Sequence, residues 1–211
     1  MSQLALDVLQ APQPTLANFV PGRNAEAVAA LHALADARSP QIVYLWGAAG
    51  AGRSHLLRAV ADVASTVPQY TPDKHVYAVD DVQRLSDAEQ ARLFGLINEI
   101  RGCAPARIVA AGDAPPAALP LREDVRTRLG WGLVYQLQPL SDDEKRAALA
   151  AQAAARGMPL AADTLNWLLA HLPRDMRTLA AALDALDAFA LARRRAVTVA
   201  LAREWLGSTG A

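Results

Sequence analysis

The sequence predicts an α/β domain built on a parallel sheet, followed by a small all-helical domain. Three observations carry this. Short apolar runs of strand character alternate with helical stretches as far as Pro139. The first run leads through a glycine-rich turn, Gly47-Ala48-Ala49-Gly50-Ala51-Gly52-Arg53-Ser54, straight into a helix. Beyond Pro139 every periodic stretch is helical.

Residues 1–23 are punctuated by Pro12, Pro14 and Pro21 and predict an extended arm. Asn24 is placed to cap a helix to about Arg38, with Val28, Leu31 and Leu34 on one face. Pro40 imposes an extended entry into the first strand, Ile42-Val43-Tyr44-Leu45-Trp46. Ser54 opens a helix to about Ala64. Val76-Tyr77-Ala78-Val79 reads as a second buried strand and ends in Asp80-Asp81. Ser86 and Glu89 form a capping box for a helix to about Arg101, with Leu93, Ile97 and Ile100 inward. Ile108-Val109-Ala110-Ala111 is a third strand and Val134-Tyr135-Gln136-Leu137 a fourth.

After Pro139 the character changes. Ser141 with Glu144 is another capping box, and Gly157 stops the helix it begins. Further helices fit Asp163 to His171, Asp175 to Arg193 and Ala200 to Leu206. The division is therefore an arm over 1–23, an α/β domain over 24–139 and a helical domain over 140–211. One stretch is short: roughly ten residues separate Ala64 from His75. Parallel neighbours need a crossover of about a dozen residues or more. The expectation is that an edge strand here is absent or pairs antiparallel, and that the helix usual after it is missing.

Charge and composition narrow the function. Lys plus Arg and Asp plus Glu are balanced at 21 each, which argues against holding DNA by a broad basic surface. Arginine outnumbers lysine 19 to two, Lys74 and Lys145, so residue type alone gives no arginine special weight. Lone Cys103 excludes an internal disulfide and fits a reducing cytoplasm. His32, His55, His75 and His171 are scattered, without Cys or carboxylates at metal-ligand spacing. No apolar run approaches the roughly 20 residues needed to span a bilayer. The N-terminus lacks the basic-then-apolar order of a signal peptide.

The glycine-rich turn holds the register of the phosphate-binding loop GxxxxGK[ST] between a strand and a helix. Gly47, Gly50 and Gly52 let backbone N–H groups wrap a phosphate at a helix N-terminus, and the Ser54 hydroxyl is placed for Mg²⁺. Arg53 stands where lysine is usual. It keeps the charge but is bulkier and planar, which suits nucleotide binding with poor hydrolysis. Asp80 at the next strand end is the candidate on the magnesium side, and Asp81 the candidate base. Arg122, Arg126 and Arg128 lie between the third and fourth strands. They fit a solvated helix face. Alternatively, Arg128, just before a Gly-Trp-Gly turn, is the best placed as an arginine finger toward a neighbour's γ-phosphate. Arg177, in the segment that opens a long helix of the second domain, fits a surface arginine or one that folds back over a nucleotide.

The phosphate loop, VDDV, RTRLGWG and PRDMRTL occur in the order of the AAA+ initiator group. With the opening QLALDV and the segments TLANFVPGRNAEAV and RLGWGLVYQLQPLSDDEK, the chain most resembles the DnaA-homologous regulatory inactivator (Hda) family. The resemblance implies an AAA+ P-loop domain with a helical lid. It also implies a protein that sits on the DNA-loaded sliding clamp, stimulates DnaA to hydrolyse its ATP, and so prevents re-initiation of replication. Gln3, Leu4 and Leu6 match the family's clamp-binding peptide, and an extended arm with alternate leucines suits a shallow apolar pocket. Arg128 matches the arginine finger acting in trans, and Arg177 the second sensor arginine. Asp113 lies near the first sensor, and Phe19 and Val20 belong to the segment lining the adenine site. With His55 these complete the expected nucleotide-binding set.

The resemblance also implies ADP or ATP with Mg²⁺ as cofactor, held in part by Ser54 and Asp80, and little turnover by the chain itself. DNA would be reached only through the clamp, in the cytoplasm and without a membrane, and the chain could form a homodimer. The rival reading is a self-sufficient AAA+ ATPase of helicase-loader or clamp-loader type.

Overall fold

The computed structural model describes residues 13–36, 39–102, 105–158 and 160–209. Contacts divide these between Pro139 and Leu140 into two compact units. Residues 14–23, expected as part of a separate arm, belong to the α/β unit that runs to Pro139.

That unit is a four-stranded sheet of β1 (Ile42–Trp46), β2 (Val76–Val79), β3 (Arg107–Gly112) and β4 (Leu133–Gln136). The order is β2-β3-β1-β4 and every pairing is parallel, with Tyr44 opposite both Ala110 and Val134. Parallel strands buried on both faces need continuous apolar sequence, and β1 and β3 supply it. Their side chains alternate between two cores. Tyr44, Tyr77 and Ile108 join Leu93, Ile97 and Ile100 of α3 (Asp87–Gly102) and Val125 and Leu129 of α4 (Glu123–Leu129). Val43, Leu45 and Val109 join Val28 and Leu31 of α1 (Ala25–His32) and Leu56 and Leu57 of α2 (Arg53–Val60). The result is a helix–sheet–helix sandwich. The phosphate loop leaves the carboxyl end of β1, where the chain order reverses between β3 and β4.

Three local expectations are corrected. Asn24 precedes α1, but its side chain makes no cap. It is buried, donates from Nδ2 to the Gln138 carbonyl at 2.9 Å and accepts the Gln138 N–H at 2.8 Å. Two backbone groups at the end of β4, costly to leave unpaired, outcompete a local cap. Helix α1 gives way to a 3-10 turn, Ala33–Ala35, and the chain is extended at Asp36, well before Arg38. Pro40 disfavours helix just ahead of it. Helix α2 ends at Val60, and Ala61 is already extended.

The short stretch behaves as its length requires. The edge strand is reduced to one bridge, Val63 to Ala78, and that bridge is parallel rather than antiparallel. No helix lies between Ala61 and His75. The loop itself covers the sheet. Val67 enters the core, and Tyr70 stacks on Tyr77 at 6.0 Å. The Tyr77 hydroxyl donates to the Thr71 carbonyl and accepts the Thr71 N–H, both at 2.8 Å. Tyr77→Phe should therefore cost about 1–2 kcal/mol. The check is a lower urea midpoint with an unchanged slope.

The capping box at α3 is formed. Glu89 accepts from the Ser86 hydroxyl at 2.7 Å and the Ser86 N–H at 3.0 Å. The hydroxyl first, and the amide next, hold its carboxyl below the usual Glu value. A depressed carboxylate stabilises fully above the unfolded pKa and loses that effect as pH falls through the folded one. By NMR titration Glu89 should protonate below the usual Glu value, and Ser86→Ala should move it back toward that value.

The second unit holds α5 (Asp142–Ala155), α6 (Ala162–His171), α7 (Met176–Arg193) and α8 (Val199–Thr209). Ser141 and Glu144 make the full capping box of α5, and Gly157 follows it at φ +69°. The Asp175 carboxylate caps α7 by accepting the Thr178 N–H at 2.8 Å. Leu149, Leu168, Leu183, Leu201 and Trp205 form its core. Among the described residues no helix is long and apolar enough to cross a membrane.

Candidate functional site

The loop from Gly47 to Gly52 owes its shape to backbone that only glycine adopts easily. Gly50 and Gly52 sit at φ +80° and +96°. A Cβ at Gly47 would lie 2.5 Å from the Leu137 carbonyl oxygen, and one at Gly52 would lie 2.6 Å from the Phe19 ring. Gly52 is also the N-cap of α2 and has no side chain to accept its first-turn N–H groups. Those donors, and the positive end of the helix, remain for an anion.

Arg53 lies at the head of α2 with its side chain only 14% exposed. One guanidinium nitrogen approaches Asp81 Oδ1 at 3.9 Å, and Nη1 is buried without a hydrogen-bond partner. A buried, unpaired guanidinium N–H is costly, and an anionic oxygen is the kind of acceptor that would relieve it. Asp81 occupies the left-handed region at φ +46°, rare for a residue with a Cβ. Gln83 Nε2 donates to its Oδ1 at 3.0 Å, and Arg84 stands 3.8 Å from Oδ2. Asp81 is thus shared among three partners. Asp80 Oδ1 accepts the Asp81 N–H at 2.9 Å. Among the described residues no group of three His, Cys, Asp or Glu is placed to hold a metal.

Tyr44 was not foreseen here. Its hydroxyl passes over Gly112 and donates to the Ala114 carbonyl at 2.8 Å. Burial pushes its ionisation far above the usual phenol value, and the Asp113 carboxylate adds to this while Arg53 opposes it. The phenol therefore stays neutral between Asp113, at the exposed turn after β3, and the loop arginine. Its sequence signal is a tyrosine at the centre of an apolar strand.

The segment before α1 packs on the start of α2. Phe19 meets the His55 ring at 5.3 Å, and His55 Nε2 lies 3.0 Å from the Thr15 carbonyl oxygen. Phe19, Val20, Ser54 and His55 are all half-buried. Gln3, Leu4 and Leu6 lie outside the described residues. Arg177 is exposed in the first turn of α7, within the helical unit.

Arg128 is held from several directions in the α/β unit. Its Nε donates to Asn98 Oδ1 at 2.9 Å and Nη1 to the Asp124 carbonyl at 3.4 Å. Its guanidinium carbon lies 3.7 Å from the Phe94 ring centre and 5.0 Å from that of Trp131. Its neighbours are differently engaged: Arg122 pairs with Asp124 at 2.6 Å, and Arg126 donates to the Ala117 carbonyl at 3.1 Å. Phe94 and Asn98 were missed from sequence. Their only signal is an i, i+4 pair flanking the inward stripe of α3.

Residues 142–206 match the family model for the Hda lid domain. The fold is similar to domain III of Thermotoga maritima DnaA, with TM-score 0.68 and 21% identity over 94% of this chain and 97% of that one. It is also similar to AMPPCP-bound DnaA from Aquifex aeolicus, with TM-score 0.66 and 20% identity over 86% and 67% of the two chains. Thermotoga maritima RuvB, as its R170A variant, gives TM-score 0.66 and 13% identity over 94% and 72%. The chain thus pairs a parallel P-loop sheet, similar in fold to those of DnaA and RuvB, with a helical unit whose residues 142–206 carry the Hda lid-domain sequence.

Proposed function

We propose that the chain is a nucleotide-bound regulator that, seated on the sliding clamp on DNA, presents Arg128 to the ATP held by DnaA and accelerates its hydrolysis. The observation that carries this reading is the state of Arg128. Its guanidinium is fixed in place, yet among the described residues it meets only neutral acceptors and aromatic faces, never a carboxylate. An arginine finger needs that combination. It must arrive oriented, with its charge still available for the oxygens around the γ-phosphorus as the β–γ bond breaks.

The chain's own loop supports a resident nucleotide rather than rapid turnover. Gly47, Gly50, Gly52 and the start of α2 would cradle the phosphates, with Arg53 Nη1 as a further donor. Ser54 and Asp80 would hold Mg²⁺ together with the phosphates. Phe19, Val20 and His55 would flank the base side, and Asp113 and Arg177 are the remaining nucleotide contacts. ADP suits a site in which Asp81 is already engaged by Arg53 and Gln83 and is not free to act as a base. Gln3, Leu4 and Leu6 are the proposed clamp contacts, with DNA reached through the clamp.

Reconstitution tests this reading: ATP-loaded DnaA, clamp loaded on DNA, and this chain, with phosphate release measured. Stimulation is expected, and it should be lost when Gln3 and Leu4 are changed to alanine. Turnover by the chain alone that disappears in Asp81→Ala, with no effect on DnaA, would instead identify a self-sufficient ATPase.

A further inference from the structure

We infer that Trp131 is a positioning residue for Arg128, the third rung of a side-chain ladder Phe94–Arg128–Trp131–Arg101 that orients the guanidinium without neutralising it. The inference rests on the reading of Arg128 as a finger, and the experiment below separates the two.

The ladder begins in backbone geometry. Helix α4 closes with the Gly130 N–H bonded to the Arg126 carbonyl at 3.1 Å and the Trp131 N–H to that of Arg128 at 3.2 Å. This tight turn sets the indole beside the arginine three residues earlier. Gly132 follows with no room for a Cβ, which would collide with the backbone of Ile42, so the chain drops at once into β4. From the other side, α3 supplies Phe94, Asn98 and Arg101 at i, i+4 and i+7 along one face. Phe94 takes the Arg128 guanidinium at 3.7 Å, Asn98 takes its Nε–H, and Arg101 lies 4.2 Å from the Trp131 ring centre.

Trp131 is poorly explained as a packing residue. It is 48% exposed, one of three large apolar side chains left so among the described residues, and belongs to neither buried core of its unit. What it contacts instead are two cations. An aromatic face attracts a guanidinium while leaving its formal charge and N–H donors intact, whereas a carboxylate would consume both. Arg101 in turn holds the indole from α3 and prevents it from swinging away from the ladder. A side chain as flexible as arginine is thereby set before its target arrives, which removes an ordering cost from the encounter.

The test uses the full chain in the reconstituted reaction and, separately, in isolation. Trp131→Leu should lower the maximal rate of DnaA-bound ATP hydrolysis about tenfold, the size of one cation–π contact. The half-saturating concentration of the chain should stay unchanged, and Trp131→Phe should restore most of the rate. In the ¹⁵N-arginine-labelled chain alone, the Arg128 Nε–H signal is identified by its loss in Arg128→Ala. It should be ring-shifted and slow to exchange, and should move toward the free-arginine position in Trp131→Leu. A wild-type maximal rate in Trp131→Leu overturns the inference, as does a change confined to half-saturation or an unmoved Nε–H signal. If the unmutated chain fails to stimulate DnaA, the finger reading falls. The NMR signal then decides the ladder alone: displacement in Trp131→Leu upholds it, and no displacement refutes it.

Discussion

Arg128→Ala should reduce clamp-dependent phosphate release from ATP-loaded DnaA by roughly 10³-fold, the lower end of what an arginine finger contributes. The fold should survive. Arg128 is only half-buried and lies outside both cores, so the loss is a few contacts with Phe94, Trp131 and Asn98, about 2 kcal/mol in all. Melting followed by circular dichroism should confirm this while the hydrolysis assay collapses. Arg128→Lys should recover only part of the rate. An ammonium keeps the charge but gives up the planar fork, the Nε bond to Asn98 and the stacked geometry. Full stimulation by Arg128→Ala would remove this residue from the mechanism.

Gly52→Val is the second large effect, and it falls on the chain's own nucleotide. At φ +96° any Cβ is strained by about 1–2 kcal/mol. Here the Cβ would also sit 2.6 Å from the Phe19 ring. Relief means moving Phe19 off His55 or unwinding the start of α2, and both disturb the cradle. ADP affinity measured by calorimetry should fall by at least about 100-fold, the equivalent of two charge-assisted hydrogen bonds. Gly50→Ala makes an internal control. Its Cβ would meet nothing within 4 Å, so only the backbone strain at φ +80° remains and binding should fall less. Normal ADP binding by a folded Gly52→Val protein would place the nucleotide elsewhere.

Much of the fold was legible because buried parallel strands are written as uninterrupted apolar runs. Ile42–Trp46 and Val76–Val79 are found with those bounds, and β3 and β4 start one residue earlier than read. The capping boxes at Ser86 and Ser141 were legible because both partners lie three residues apart. What escaped depends on partners distant in sequence. Asn24 carries every local mark of a cap, but its partner, Gln138, lies across the unit. Arg53 and Asp81 were each legible as motif positions, whereas their approach at 3.9 Å and the positive φ of Asp81 were not. Asn98 and Phe94 gave no sign beyond their i, i+4 spacing, since only the packing of α3 against α4 brings them to Arg128.

The single bridge from Val63 to Ala78 has a consequence for solubility. A sheet that stops at β2 leaves a row of backbone donors and acceptors able to template a strand from another molecule. Strand β2 has only four residues, and Ala78 is its third. An incoming strand could not register along so short an edge without first displacing Val63. The short crossover therefore leaves β2 no fully open edge. One residue of pairing, placed inside the run rather than at its end, keeps the sheet from growing on that side.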